Sequence, residues 1–111
     1  PVKVIKPCVT RGAAVSEAGA YRFAAGIALG LCASIKAPVG DLDRVDKWLR
    51  IFGMVNAAPG FTNIPAVING CSDTVLAVFG KDVGAHARSA VGMAELPFSV
   101  PVEIEAEVRI R

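Results

Sequence analysis

The pattern of apolar and polar residues at the end of the chain is its clearest structural signal. In the last segment, "VEIEAEVRIR", valine, isoleucine and alanine alternate with glutamate and arginine. Because successive side chains of a strand point to opposite faces of a sheet, this pattern predicts a strand with one buried and one polar face. Another strand is predicted just before it, in "HARSAVGMA", which contains Arg88.

The first part of the chain predicts a strand followed by a long helix. Residues 2–12 alternate as an extended segment does, and Ser16 followed by Glu17 is typical of a helix N-terminus. We expect the helix to end before Pro38, since proline disfavours helix in the residue before it. The helix carries "GIALG", whose two glycines suggest close packing against a sheet.

The middle of the chain predicts a second strand and a second helix. The segment "WLRIFGMV" is apolar on both alternating faces, as expected of a central strand covered on two sides. Asn63 and Pro65 can begin a helix, which is expected to end at Gly80. The predicted order is strand, helix, strand, helix, strand, strand. This order indicates an α+β fold with two helices packed on one mixed β-sheet.

Composition indicates a single domain that associates with copies of itself. The 111 residues 1–111 suffice for one core, yet 53% of them are hydrophobic and the mean hydropathy is +0.50. A domain of this size has too much surface to bury so many apolar side chains. Part of the apolar surface is therefore expected to be covered by further copies of the chain.

Charge and cysteine content exclude several classes of function. The 12 basic and 10 acidic residues are dispersed and aromatics make up 6%, so a nucleic-acid partner is not expected. The longest apolar stretch, Phe23 to Ile35, is shorter than the roughly 20 residues of a membrane span. Cys8, Cys32 and Cys71 are widely spaced and form no metal-binding motif with the one histidine, His86, so we expect neither metal nor disulfides, and a cytoplasmic location.

Three polar residues are candidates for a site. Arg88 is followed on its strand face by Ala90, Gly92 and Ala94, small residues that leave room for an anion beside a guanidinium suited to carboxylates. Glu103 begins the last strand and could act as a general base or orient a water. Each could instead be an exposed strand residue, and Asn69 in the second helix could be ordinary surface. His86 is assigned no role.

Three segments together resemble the RidA/YjgF/YER057c family, in the branch called endoribonuclease L-PSP or chorismate-mutase-like. They are "VNAAPGFTNIPAVINGCSDTVLAVFG", "HARSAVGMAELPF" and "VEIEAEV". The resemblance implies a chorismate-mutase-like subunit and a homotrimer whose sheets form a central barrel, with ligand clefts between subunits.

The resemblance also implies an activity. Members hydrolyse reactive enamines and imines such as 2-aminoacrylate to 2-oxo acids and ammonia, without metal or organic cofactor. Carried over by motif, Arg88 binds the substrate carboxylate, Glu103 is the catalytic residue that positions the attacking water, and Asn69 lies near the cleft. The enzyme would then be a hydrolase.

Three alternatives remain open at the level of sequence. The family's N-terminal hairpin, which carries a tyrosine and a serine of the cleft, has no counterpart in residues 1–111. Either the protein continues upstream of Pro1, which we favour, or it has lost these strands, and the activity of residues 1–111 alone is in question. The same trimer could bind small carboxylates without turnover, as a sensor or chaperone-like protein. A tautomerase that uses the amine of Pro1 is a third reading, which the rest of the sequence disfavours.

Overall fold

The chain folds into two helices packed against one face of a mixed four-stranded sheet. The structure is a computed structural model that describes the backbone of residues 2–7 and all of residues 15–111. In chain order the elements are β1 (Val2–Pro7), α1 (Glu17–Val39), β2 (Val45–Asn56), α2 (Ile64–Gly84), β3 (Ala87–Met93) and β4 (Val102–Ile110). This order is the predicted one, and the predicted α+β fold class is confirmed.

The sheet has the strand order β1-β4-β2-β3. β4 pairs antiparallel with both β1 and β2, whereas β2 and β3 are parallel neighbours. α2 connects β2 to β3, because two parallel neighbouring strands need a crossover connection and a helix commonly supplies it. β3 is the last strand in this order and is therefore an edge strand of the described sheet. It begins shortly after the end of α2.

The core lies between the helices and the sheet. From β2 it contains Trp48 and Ile51, which a bulge between Trp48 and Arg50 turns to the same face. The alternation predicted for β4 is confirmed, because Val102, Ile104, Ala106 and Val108 are buried while the intervening glutamates point to the other face. The helices contribute the apolar side chains Ile27, Leu31, Ile35, Val67, Ile68 and Val75.

The face of β2 away from the helices is covered only near its end. There Met54 packs with Leu96 and Val100 in a second, smaller cluster, together with the partly buried Phe52 and Met93. The prediction of a central strand was right. The prediction that both of its faces are covered was wrong over much of its length within one chain, since both helices lie on a single side of the sheet.

Both helices extend further than predicted. Pro38 lies inside the last turn of α1, where the lost N–H removes one hydrogen bond only, and Gly40 (φ 90°) ends the helix with its N–H donated to the carbonyl of Lys36. α2 passes Gly80, a kink with φ 75°, and continues to Gly84. Four more residues of α2 therefore precede β3, and they bring Gly84 next to the site described below.

The close helix packing lies at Gly70, not at Gly26 of "GIALG". A Cβ atom at Gly70 would collide with the backbone carbonyl of Tyr21, so α2 approaches α1 directly at this point. A Cβ atom at Gly26 would meet nothing within 4 Å. The predicted close packing at Gly26 was therefore wrong, because that glycine lies on the exposed side of α1.

α1 has the length and apolar composition that could cross a membrane, and it is the one such helix among the described residues. Seven of its side chains are buried in the packing against α2 and the sheet, among them Ala24, Ala28 and Leu31. This distribution is that of a core helix. The expected absence of a membrane partner stays a prediction.

Candidate functional site

Arg88 lies on the edge strand β3 and points to the helix face of the sheet. In the parallel register it stands beside Ile51, whose side chain is fully buried under the helices. Arg88 itself is exposed, because β3 is an edge strand of the sheet as far as the structure describes it. The next residues on that face are the small Ala90 and Gly92, as the sequence indicated.

The guanidinium of Arg88 is held from one side by α2. Its Nη1 donates to Oδ1 of Asn69 at 2.7 Å and to Oγ of Ser72 at 3.2 Å. Within residues 15–111 no carboxylate pairs with Arg88, and no group of these residues accepts a hydrogen bond from its Nη2 or Nε. Arg88 therefore presents one donor edge to solvent, and such an edge binds a carboxylate in a bidentate manner.

Ser72 connects Arg88 to His86. Oγ of Ser72 lies 3.0 Å from Nε2 of His86, and Nδ1 of the same ring lies 2.6 Å from the carbonyl oxygen of Gly84. A carbonyl only accepts, so Nδ1 carries a proton. Burial lowers the pKa of His86 from its ordinary value, and the charges of Arg88 and Lys47 lower it further, while the Gly84 carbonyl opposes the shift. His86 is consequently neutral near pH 7, with Nε2 as an acceptor.

These groups line an open pocket of about 310 Å³ between α2 and the start of β3. Asn69, Ser72, His86 and Arg88 supply its polar wall, and Leu76 and Ala85 its apolar wall. A larger pocket of about 450 Å³ lies at the carboxyl end of β2. The ionisable residue that lines this larger pocket is Glu17, whose negative charge would repel an anion. The smaller pocket is therefore the better candidate for a carboxylate ligand.

Glu103 lies on the other side of the sheet from Arg88. It stands opposite Met54 in the antiparallel register, and Met54 belongs to the cluster on the face away from the helices. Arg88, in contrast, faces the helices, and β2 separates the two strands. The structure therefore brings Asn69 to Arg88, in keeping with the family resemblance, but does not bring Glu103 to Arg88 within one chain.

Sequence reasoning missed Ser72 and His86. Asn69 and Ser72 are three residues apart and thus lie on the same face of α2, a spacing visible in the sequence. His86 precedes Arg88 by two residues, which places both on one strand face when the strand is extended backwards. The assignment of no role to His86 overlooked this spacing, because His86 was judged as an isolated residue.

Neither Cys32 nor Cys71 lines this pocket. Cys32 and Cys71 are buried free thiols, and burial raises the pKa of Cys71 to about 12, so that its thiol stays protonated at neutral pH. Cys8 and Pro1 fall outside the described residues, and so does the reading of the chain as a Pro1 tautomerase. Within residues 15–111 no three metal-ligating side chains come together.

Two comparisons with known proteins find clear relatives. Protein TCP17 of Trypanosoma cruzi is 40% identical over 112 residues, which cover 99% of this chain and 70% of TCP17. The crystal structure of Atu1372 from Agrobacterium tumefaciens, a protein described as having unknown function, matches with a TM-score of 0.83 and 42% identity. The match covers 86% of this chain and 61% of Atu1372.

A third protein shares the fold at lower identity. The crystal structure of a "putative endoribonuclease" from Shewanella oneidensis matches with a TM-score of 0.83 at 23% identity, over 89% of this chain and 65% of that protein. The chain thus spans about three fifths of Atu1372 and about two thirds of the Shewanella protein. A search with models of protein families finds no match.

Proposed function

This chain belongs to the RidA/YjgF/YER057c family, and on that premise we propose that it hydrolyses reactive enamines and imines such as 2-aminoacrylate to 2-oxo acids and ammonia. The observation that carries the proposal is the open edge of the Arg88 guanidinium. Asn69 and Ser72 hold the guanidinium through its Nη1 atom, and the guanidinium has no acidic partner among residues 15–111. A substrate of this class carries the carboxylate that such an edge binds.

Fixing the substrate accounts for much of the expected catalysis. An imine is already labile toward water, so the protein mainly has to hold the reacting carbon where a water molecule can reach it. Asn69 and Ser72 both accept hydrogen bonds from Nη1, so the plane of the guanidinium is set before the ligand binds. In this proposal no metal or organic cofactor takes part.

The proposed role of Glu103 requires a second chain. Glu103 would hold the attacking water, yet within one chain it lies on the opposite sheet face from Arg88. A homotrimer in which the open faces of the sheets meet can supply Glu103 from a neighbouring copy. The site would then be formed between subunits.

Exposed apolar side chains support the association of copies. The face of the sheet away from the helices carries Phe52 and Met93, which are covered only in part. Phe98 lies in the turn before β4 with 95% of its side chain exposed and a left-handed backbone at φ 57°. An aromatic residue held outward in a strained conformation is typical of a contact surface. We assign these residues to the contacts between copies in the trimer.

The separation of Arg88 and Glu103 also favours a second function. A chain with a carboxylate clamp but no water-holding carboxylate beside it could bind a 2-oxo acid without turning over a substrate. Such a protein would act as a sensor or chaperone-like binding protein. It would share the trimer and the role of Arg88 with the proposed deaminase and would differ only in lacking turnover.

A coupled assay separates the two functions. A pyridoxal-phosphate enzyme that generates 2-aminoacrylate is run with and without this protein, and the release of 2-oxo acid and ammonia is followed. Faster release that scales with the amount of protein supports the deaminase. Unchanged release together with calorimetric binding of 2-oxobutyrate identifies the binding protein. Arg109→Ala is a matched control, because Arg109 is an exposed arginine paired with Asp46 and lines neither pocket.

A further inference from the structure

The hydrogen bonds around Ser72 have a fixed direction. A hydroxyl group has one hydrogen to donate and two lone pairs that accept. Since Nδ1 of His86 donates to the Gly84 carbonyl, Nε2 of the neutral ring accepts, and the hydrogen of Ser72 points to it. One lone pair of Ser72 accepts from Nη1 of Arg88. Among the described residues the second lone pair has no partner, and Ser72 lines the pocket beside Arg88.

We propose that Ser72 and His86 form a proton relay that takes the proton from the attacking water in the site of Arg88. The inference rests on the proposed deaminase function and adds to it a base that belongs to the same chain as the clamp. A water molecule donating to the second lone pair of Ser72 lies next to the carboxylate that Arg88 holds. His86 does not touch the substrate and acts through Ser72.

In the relay, each proton and electron pair moves between a named donor and acceptor. The water gives a proton to Oγ of Ser72 while the hydroxyl proton of Ser72 passes to Nε2 of His86. The water oxygen bonds to the imine carbon, the π electrons of the C=N bond move to nitrogen, and the nitrogen takes a proton from solvent. The proton on His86 then returns through Ser72 to the nitrogen. As the C–N bond breaks, ammonia leaves, and the new hydroxyl group loses its proton to solvent and becomes the carbonyl group.

The charges around His86 define the direction of the pH dependence. β3 contributes the cation of Arg88 and β2 the cation of Lys47, whose Nζ donates to the carbonyl of Asp82. α2 contributes the Ser72 hydroxyl and the Gly84 carbonyl. Burial and, to a smaller extent, both cations disfavour a protonated His86, so the base form persists to lower pH than in an ordinary histidine. The turnover number should therefore fall only in mildly acidic solution, where His86 takes up its proton.

Two variants and one control test the relay in the coupled 2-aminoacrylate assay. His86→Gln retains an amide oxygen that can accept from Ser72 but cannot take up a proton. Ser72→Ala removes the path between water and His86. Ser89→Ala is the matched control, because Ser89 lies on the same strand as Arg88 but on the other face, where it accepts from Arg50. Nuclear magnetic resonance of the single histidine gives the pKa of His86 independently.

In the relay, His86→Gln lowers kcat by about 100-fold or more, the contribution of a positioned base. Its affinity for 2-oxobutyrate stays close to wild type, and the fall of kcat at acidic pH disappears. Ser72→Ala shows the same loss of kcat, and Ser89→Ala is unchanged. If wild type shows no turnover, the deaminase function fails and the relay with it. If wild type is active but His86→Gln or Ser72→Ala retains the wild-type kcat and its decrease at acidic pH, the relay is refuted and the deaminase function is not.

Discussion

Arg88 and Glu103 lie on opposite faces of one sheet, with β2 between their strands. The parallel register places Arg88 beside the buried Ile51 on the helix face, and the antiparallel register places Glu103 opposite Met54 on the other face. Within one chain the two side chains therefore face different sides of the sheet and not one common pocket. A catalytic site that uses both residues is therefore formed by two chains.

Mixed oligomers test whether the two residues act from different chains. We expect Glu103→Gln to bind a 2-oxo acid nearly as well as wild type and to turn over more slowly, and Arg88→Ala to bind poorly. If the two variants are refolded together, about a quarter of the sites contain both native residues. Activity of the mixture should then exceed the sum of the two separate variants. A mixture that only reproduces that sum would contradict a shared site.

Substitution of Arg88 should weaken ligand binding in two steps. Arg88→Lys keeps the charge but loses the planar fork, and Arg88→Ala loses both. Loss of a charge-assisted hydrogen bond costs about 1.5–3 kcal/mol, which corresponds to roughly 10- to 150-fold in affinity. Calorimetry with 2-oxobutyrate measures both steps.

The Arg88 variants should remain folded, because the side chain is exposed and lies outside the core. Arg109→Ala should bind the ligand as wild type does. Equal affinity of Arg88→Ala and wild type would show that Arg88 is a strand residue without a binding role, and unfolding of Arg88→Ala would show that its role is structural.

The protein should be a trimer in solution. The apolar side chains on the open face of the sheet and the exposed Phe98 are the surfaces that copies would cover. Sedimentation equilibrium at micromolar concentration measures the mass directly. A stable monomer would contradict both the trimer and a site shared between chains.

Much of the fold could be predicted because its pattern is local. The alternation in β4 and the helical spacing in α2 each specify a buried face without reference to the rest of the chain. The ends of the helices could not be predicted equally well, since Pro38 and Gly80 break helices in isolation but are tolerated here near the ends of packed helices. Tertiary packing outweighs the local preference at both positions.

The site was predicted only in part, because its members come from separate elements. Arg88 was identified from the small residues around it, and Asn69 through the family resemblance. Ser72 and His86 meet only because α2 packs beside β3 in the folded chain. The hydrophobic periodicity of the sequence does not show that these two elements are neighbours. The position of Glu103 on the opposite face follows from the pairing of β4 with β2, and the sequence does not reveal that register.

Two glycine substitutions should have opposite effects on stability. Gly70→Ala places a methyl group against the backbone carbonyl of Tyr21, and this overpacking should lower the free energy of unfolding by about 1–3 kcal/mol. Gly26→Ala lies in an exposed part of α1 with nothing within 4 Å of the new Cβ atom, and should raise it by about 0.5–1 kcal/mol. Urea denaturation measures both changes. Equal effects of the two variants would contradict the close approach of α1 and α2 at Gly70.

Stability should depend on pH through His86. Its pKa is lower in the folded protein than the ordinary value of about 6.5 in the unfolded chain. Between these two pKa values the unfolded chain binds more protons, so the stabilising contribution is full above the unfolded pKa and is lost as the pH falls through the folded pKa. Urea denaturation of wild type and His86→Gln at about pH 8 and about pH 5 isolates this contribution, because the carboxylates titrate alike in both proteins. Wild type should lose more free energy of unfolding on acidification than His86→Gln. An equal loss in both would show that His86 has the same pKa in the folded and unfolded chain, and would contradict the lowered pKa of His86.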